Sequence, residues 1–417
     1  MNPYRIKLVR FDGGERFPVL CTRQDGMPVH SATLWVLIEL RTANLSTSTL
    51  HQALRSLMVL FIVLDELKID LCARLREGQL LTIGDIEAIV GACKLPISAG
   101  DEERCGNGVF AWSCYTSGSN SQKINPTTIA IRLLYIARYL DWITTDYLLK
   151  VGVGHPHFSN LEKLRERVST SIKARIPSVH RFSNVTPREG LSEQMLSLLQ
   201  QVVDPTFGQN PWSHEYVRQR NYLMIRWLLF LGVRRGELLG VKISDINFQT
   251  NEVLIARRAD DPADPRLRQP NAKTSGRLLA LDAELAELTR TYVMSIRRNI
   301  TGARKHEYLW VAGGSGKPLS LAGLNKVFIT LRQHCPELPE NLCPHLLRHT
   351  WNDLFSEEID RNEVSSTVEQ KLRSRLMGWS ETSGMATVYN QRHIKKKATA
   401  ASLQMQKQLR MEAHRDE

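Results

Sequence analysis

Residues 344–351 read PHLLRHTW, and the order of charged and apolar side chains in them decides how the chain must fold around them. Pro344 suits the first turn of a helix, where its missing N–H costs nothing. Leu346 and Leu347 then point into a core. His345 and Arg348, three residues apart, face the same way. A helix N-terminus that also offers histidine and arginine is a ready anion site. His349 falls on a different face and reads as a packing or hydrogen-bonding residue. The stretch predicts a half-buried helix whose first turn handles negative charge.

Three other segments carry residues of the same kind. In GVRRGELLGVKISDINF (232–248), Gly232 lets the chain turn, Arg234 follows, and Glu237 shares a face with Arg234 at a helix start. Taken alone, such an i,i+3 pair is a surface feature that stabilises by about 0.2–0.5 kcal/mol. In NAKTSGRLLAL (271–281), Lys273 sits in a polar turn before a strand. A lone loop lysine ordinarily faces solvent. In RLMGWSETSGMATVYNQRH (375–393), Gly378–Trp379 is followed by Tyr389, the only tyrosine beyond Arg348, and by the basic run RHIKKK. An isolated tyrosine in that position reads as a core residue.

The whole chain suits a polyanionic partner. Its 417 residues carry 55 Lys and Arg against 43 Asp and Glu, a net charge of +12. Nucleic acid is the first expectation and an acidic membrane surface the second. The seven cysteines include no CxxC pair, which points to free thiols in a reducing cytoplasm and away from a zinc ribbon or disulfide framework. The first residues, MNPYRIKLVRFDGGERF, show no apolar signal core. The apolar runs LMVLFIVL (57–64) and WLLFLGV (227–233) are too short to span a bilayer and read as buried helix.

Periodicity predicts the layout. Residues 1–43 read as an N-terminal arm or small β element. From 44 the pattern is helical, with Ser and Thr as N-caps in NLSTSTL, and a second helix spans 82–94. Residues 97–123 are rich in Gly, Ser and Asn and read as a loop. NPTTIAIRLLYIARYLDWITTDYLL (125–149) starts with helix-favouring Pro and Thr and carries Ile129, Leu133, Ile136 and Leu140 on one face, with Arg132 and Arg138 off that stripe. A basic helix and linker follow. His155 and His157 are loop residues by ligand count. A second domain begins near 186. It holds a strongly apolar helix interrupted at Gly232, strands at 251–257 and 276–282, a short strand with a Gly-rich turn at 308–320, and helices after 322. GGSGK (313–317) is no phosphate loop, since Pro318 stands where Ser or Thr would bind magnesium.

Arg in GVRRGE, Lys in a strand hairpin, HLLRH, GW and then Tyr occur in an order that resembles the tyrosine recombinase (phage integrase) family. The resemblance covers about 186–400, and a weaker one covers 44–150. It implies a mainly α fold with a small antiparallel β-sheet in the C-terminal domain (α+β). A helical core-binding domain (44–165) would join through a basic linker (166–185) to a catalytic domain (186–398) and a tail (399–417) exchanged between protomers through Leu403, Met405 and Leu409. The implied catalytic set is Arg234, Lys273, His345, Arg348, Trp379 and the nucleophile Tyr389, with Glu237 and His349 in support. Lys123, Thr127, Thr128, Arg132 and Arg138 are the implied DNA contacts, with a solvated helix face as the plain alternative. Duplex DNA, gripped between the two domains, and a homotetramer on two DNA sites are the implied partners, with a directionality factor or other accessory protein, no membrane, and a cytoplasmic, nucleoid-associated location in a prokaryote. No cofactor, metal or ATP is implied. The neighbouring readings are a topoisomerase-like nicking and rejoining enzyme, and a catalytically degenerate DNA-binding accessory protein.

Three departures from the family pattern stand out. SEEIDRNEVSSTVEQKLR (356–373) replaces a short Gly turn and lengthens the Arg348-to-Trp379 segment. The Trp-to-Tyr spacing is one residue longer than expected, and one residue is about 100° of helix. The connection RADDPADPRLRQPNA (258–272) is long and partly acidic, which predicts that Lys273 rides on a mobile hairpin.

Overall fold

In a computed structural model the chain forms two compact units, Met1–Phe182 and Ser183–Glu417. The structure describes residues 2–97, 124–178, 190–271, 274–380, 398–399 and 401–406.

The first unit opens with an antiparallel hairpin, β1 (Tyr4–Arg10) and β2 (Arg16–Thr22), paired from Tyr4↔Thr22 to Arg10↔Arg16. Phe17 and Leu20 of β2 are buried in the core of this unit, and the Tyr4 hydroxyl donates to Asp65 at 2.7 Å. The hairpin is thus built into the helical core and is no detached arm. A short helix α1 (His30–Trp35), continued by a wide turn over Val36–Arg41, leads to α2 (Thr47–Glu66), whose first turn is capped by Ser46. Among the described residues α2 is the one helix long and apolar enough to cross a membrane, yet 56% of that window is buried inside the unit. Then come α3 (Leu71–Arg76), α4 (Ile83–Cys93) with a Thr82–Asp85 capping box, α5 (Pro126–Val151) and α6 (Phe158–Ala174). Helix α6 runs unbroken through 165/166, so the expected boundary between core-binding domain and linker falls inside a packed helix, with Leu161, Val168 and Ile172 buried.

Asn125 caps α5 and Pro126 occupies its first position. Arg132 corrects the sequence expectation. It is 6% exposed, and its Nη1 donates to the carbonyls of Cys93 and Leu95 at 2.9 and 2.7 Å. These carbonyls lie at the C-terminal end of α4, where backbone acceptors have no intrahelical donor and the helix dipole favours a cation. Arg132 is a cap for a neighbouring helix, with no face left for DNA. Arg138 and Thr127 are exposed and Thr128 half-buried, while Lys123 and most of the 97–123 loop lie outside the described residues. Arg132→Met is expected to destabilise the first unit by about 2–3 kcal/mol, the scale of losing charge-assisted hydrogen bonds in a buried place. Denaturant unfolding would measure it.

The second unit begins with α7 (Glu193–Val203) and α8 (Glu215–Leu231), then α9 (Arg235–Gly240). A three-stranded antiparallel sheet follows in the order β3 (Ile246–Asn247), β4 (Glu252–Ile255), β5 (Arg277–Ala280). The stretch expected as a strand at 308–320 forms only the isolated bridges Lys242↔Tyr308 and Val311↔Pro318. Helices α10 (Ala283–Thr291), α11 (Leu321–His334), α12 (Pro344–Arg361) and α13 (Ser366–Met377) complete the unit. Trp227 and Trp310 meet edge to face at 5.6 Å in the core, and each indole N–H has a partner, Thr289 Oγ1 and the Leu238 carbonyl.

Two of the departures acquire structure. The lengthened segment, 356–373, falls in the last turns of α12 and the greater part of α13. Arg373, fully buried, joins them by donating to Asn352 Oδ1 (2.9 Å), Ser356 Oγ (2.7 Å) and the Glu369 carboxylate. The turn between them holds Glu363 at φ 52°, a left-handed conformation that glycine would adopt without strain. The connection from 258 to 271 is tied down where a mobile hairpin was expected. Lys242 pairs with Asp261 at 2.8 Å and Arg258 with Asp245. Arg266, 8% exposed, pairs with the buried Asp264 and donates to the carbonyls of Leu239 and Leu319 at 3.0 and 2.9 Å. Asp261 and Asp264 of this connection therefore have basic partners within the unit.

Candidate active site

The site grows from the end of α8. Gly232 closes that helix at φ +59°, and a Cβ there would lie 2.8 Å from the Trp351 ring. The turn buries Val233 and leaves Arg234 as the N-cap of α9. Glu237, in the first turn of α9, reaches back to the Arg234 N–H (3.0 Å) and to its Nη1 (3.0 Å). Sequence alone favours a surface pair, but Glu237 is 2% exposed and fastened from a second side. Arg277 on β5 donates to Glu237 Oε2 at 2.8 Å and Thr274 to Oε1 at 2.8 Å. Each carboxylate oxygen thus accepts two hydrogen bonds, which fills its capacity.

Burial alone would raise the Glu237 pKa. The adjoining Arg277 guanidinium, by charge and hydrogen bond, overrides this, the Arg234 N–H and the charge of Arg348 add to it, and the carboxyl falls from its ordinary 4.5 to about 2. The folded value lies below the unfolded one, so this contribution is complete above about pH 4.5 and is lost as pH falls toward 2. On that shift it is on the order of 3 kcal/mol at neutral pH. Glu237→Gln is expected to flatten the acid limb of the stability curve between those two values, which urea titrations at stepped pH would show.

Helix α12 supplies the second arginine. Pro344 occupies its first position, and Leu346 and Leu347 are buried. Arg348 is 1% exposed. Its Nη1 donates to the Gly232 carbonyl at 2.6 Å, beside the turn that presents Arg234, and its guanidinium lies 5.5 Å from the Trp379 ring centre. Its charge is felt at Glu237. His345 is exposed, and its ring meets that of His349 at 4.4 Å. His349 was expected on another face. The four-residue spacing instead brings it edge-on to His345, the residue it would steady. Trp379 follows Gly378, which ends α13 at φ +66°. Its N–H bonds the Ser374 carbonyl at 2.9 Å and the Gly378 N–H bonds that of Arg375 at 3.2 Å, a Schellman closure. Lys273 and Tyr389 lie outside the described residues.

The structure therefore brings Arg234, Glu237, Arg348 and Trp379 into one cluster of the second unit, with His345 one turn before Arg348 and His349 directly after it. Sequence reasoning missed Arg277 and Thr274. One signal was present: with period-two alternation, Leu279 and Leu281 facing inward put residue 277 on the core side too. The structure has this parity, with Arg277 8% and Leu278 62% exposed. Among the described residues no group of three or more His, Cys, Asp or Glu is placed to hold a metal ion.

Residues 194–394 match the phage integrase family, a range that spans the whole cluster. This stretch of the chain belongs to the tyrosine recombinase family. The tyrosine recombinase XerD of Halalkalibacterium halodurans is 23% identical over 188 residues, 45% of this chain and 54% of the relative. A tyrosine recombinase of Pseudothermotoga lettingae is 24% identical over 227 residues, 52% of this chain and 70% of the relative. The match to the first relative thus spans about half of its length. Among solved structures, XerH site-specific recombinase bound to palindromic difH substrate is similar at TM-score 0.43 and 17% identity, covering 67% of this chain and 79% of that one. XerA recombinase is similar at TM-score 0.35 and 18% identity, covering 64% and 82%. The matched stretch of this tyrosine recombinase domain contains half-buried Arg234 together with buried Glu237, Arg277 and Arg348.

Proposed function

We propose that this protein is a site-specific DNA recombinase or integrase that cleaves and rejoins strands through a 3′-phosphotyrosine intermediate, in the service of a mobile genetic element. The observation that carries the reading is the pairing of two fixed guanidiniums in one unit, Arg234 held by the saturated Glu237 and Arg348 anchored on the Gly232 carbonyl. Two arginines in fixed forks match the non-bridging oxygens of a phosphodiester in its transition state, where charge builds up.

In this scheme the phenolic oxygen of Tyr389 attacks phosphorus and its proton leaves, with His345 assisting. The bond from phosphorus to the 5′ oxygen breaks, and Lys273 gives that oxygen a proton. Trp379 donates its indole N–H to a phosphate oxygen and packs the segment that carries the nucleophile. The phosphotyrosine retains the phosphoester energy, so a second strand's 5′ hydroxyl reverses the step without ATP or a metal. Duplex DNA is the partner, and affinity falls steeply with salt because Lys and Arg displace counterions from phosphates. Exchange between two sites requires four protomers. The helical residues 401–406, with Leu403 and Met405 exposed, offer a surface for contact between protomers, and the rest of the tail lies outside the described residues.

Incubating the wild-type chain with a library of nicked duplexes, randomised over the cleavage region, and isolating DNA covalently attached to protein tests this reading. A captured sequence family supports it. DNA binding with no covalent capture would leave an accessory DNA-binding protein.

A further inference from the structure

We infer that Arg277 is a positioning residue that sets the angle of Arg234 and the seat of Trp379 together, an inference that rests on the strand-transfer reading. Its guanidinium spends each of its three nitrogens on a different segment of the site. Nη2 donates to Glu237 Oε2 at 2.8 Å, and the same carboxylate holds the N–H and side chain of Arg234. Nη1 donates to Thr274 Oγ1 at 3.3 Å, and Thr274 directly follows Lys273 in the sequence. Nε donates to the Leu376 carbonyl at 2.6 Å, in the last turn of α13. That carbonyl belongs to the set a helix end leaves without internal donors, and a cation beside it also suits the helix dipole.

Gly378 shows how closely this end of α13 is seated. A Cβ on it would fall 2.8 Å from Arg277 Nη1, 3.0 Å from Thr274 Cβ and 3.1 Å from the Ser275 carbonyl. The Gly–Trp pair thus reads as a docking device: glycine permits contact with the Arg277–Thr274 corner, and Trp379, the next residue, lands beside Arg348. Arg277 and Glu237 are both buried, so solvent does not compete for these bonds. A lysine at 277 would keep the charge and lose the planar fork that serves three directions at once.

The test compares penalties on two substrates built on a duplex captured by the wild-type chain. One carries the natural scissile phosphodiester and the other an uncharged methylphosphonate at the same place. Single-turnover adduct formation by Arg277→Lys is expected to fall about 10²-fold on the phosphodiester, the scale of a small misplacement of a catalytic group. DNA affinity should stay within about threefold, since Arg277 is not offered to the backbone phosphates that set binding. On the methylphosphonate, where less charge is held by Arg234, the penalty should shrink to less than about tenfold. A purely structural defect would lower both rates alike, and equal penalties would overturn the positioning role. Should Arg277→Lys fail to fold, Thr274→Val removes the hydroxyl that bridges Glu237 and Arg277 at nearly constant volume. It should show the same substrate-dependent pattern at about 10-fold, and equal penalties would again overturn the inference. A wild-type chain that captures no duplex at all would overturn strand transfer itself, an outcome distinct from a substrate-independent Arg277→Lys penalty.

Discussion

Tyr389→Phe is expected to bind captured DNA with wild-type affinity and to form no covalent adduct. The substitution removes one oxygen and keeps the ring, so packing and charge are unchanged while the attacking atom is gone. Denaturing gels of protein with labelled, nicked duplex would display the adduct directly. A retained adduct would overturn the assignment, because no other tyrosine follows Arg348 in the chain. The experiment also addresses the spacing between Trp379 and Tyr389, one residue longer than the family pattern suggests. A loop ahead of Tyr389 would absorb a rotation of about 100°. An intact hydroxyl turned away from the phosphate would leave the wild type as inert as the phenylalanine variant.

Arg348→Lys is expected to slow cleavage by about 10²–10³-fold, as removal of an oxyanion-hole donor does, while changing DNA affinity only a few-fold. Lysine preserves the charge, so long-range attraction to DNA remains. It cannot hold the Gly232 carbonyl and also reach a phosphate, as the proposed role asks of a planar guanidinium whose nitrogens point in different directions. Arg348→Ala should cost the same activity and also stability. The Gly232 carbonyl would lose its buried donor, and the Trp379 ring would lose the cation near its face. Rate measurements at saturating DNA, beside calorimetric unfolding, separate the two variants. Loss of binding by Arg348→Lys would mean that the residue acts as an anchor on the DNA backbone rather than on the reacting phosphate.

Much of the fold was legible because the signals are local. Ser46 before α2, Asn125–Pro126 at α5, Ser192 before α7 and Pro344 at α12 are capping choices made within one turn of chain. The apolar runs at 57–64 and 227–233 are buried in α2 and α8 as their composition predicts. Three of the misreadings have a shared cause, since each depends on a partner distant in sequence. Arg132 looked like a surface arginine until α4 placed two open carbonyls beside it, and Glu237 looked like a surface partner until β5 arrived. The acidic 258–271 connection looked loose because Lys242 and Tyr308, which hold Asp261, lie outside it.

The sequence by itself determined the order arginine, lysine, HxxR pair, Gly–Trp and tyrosine, which carries the resemblance to the tyrosine recombinase family. The order makes chemical sense, since a planar, permanently charged fork suits paired phosphate oxygens and a phenolic hydroxyl can attack and be restored. Tertiary structure alone decided what holds those residues at their angles. The bond from Arg277 to Glu237 spans 40 positions, that from Arg277 to Leu376 spans 99, and that from Arg348 to Gly232 spans 116. No local pattern encodes such pairs. They form only when the second unit's core closes and a buried carboxylate, cut off from water, must take its hydrogen bonds from whichever segments the fold has brought to it.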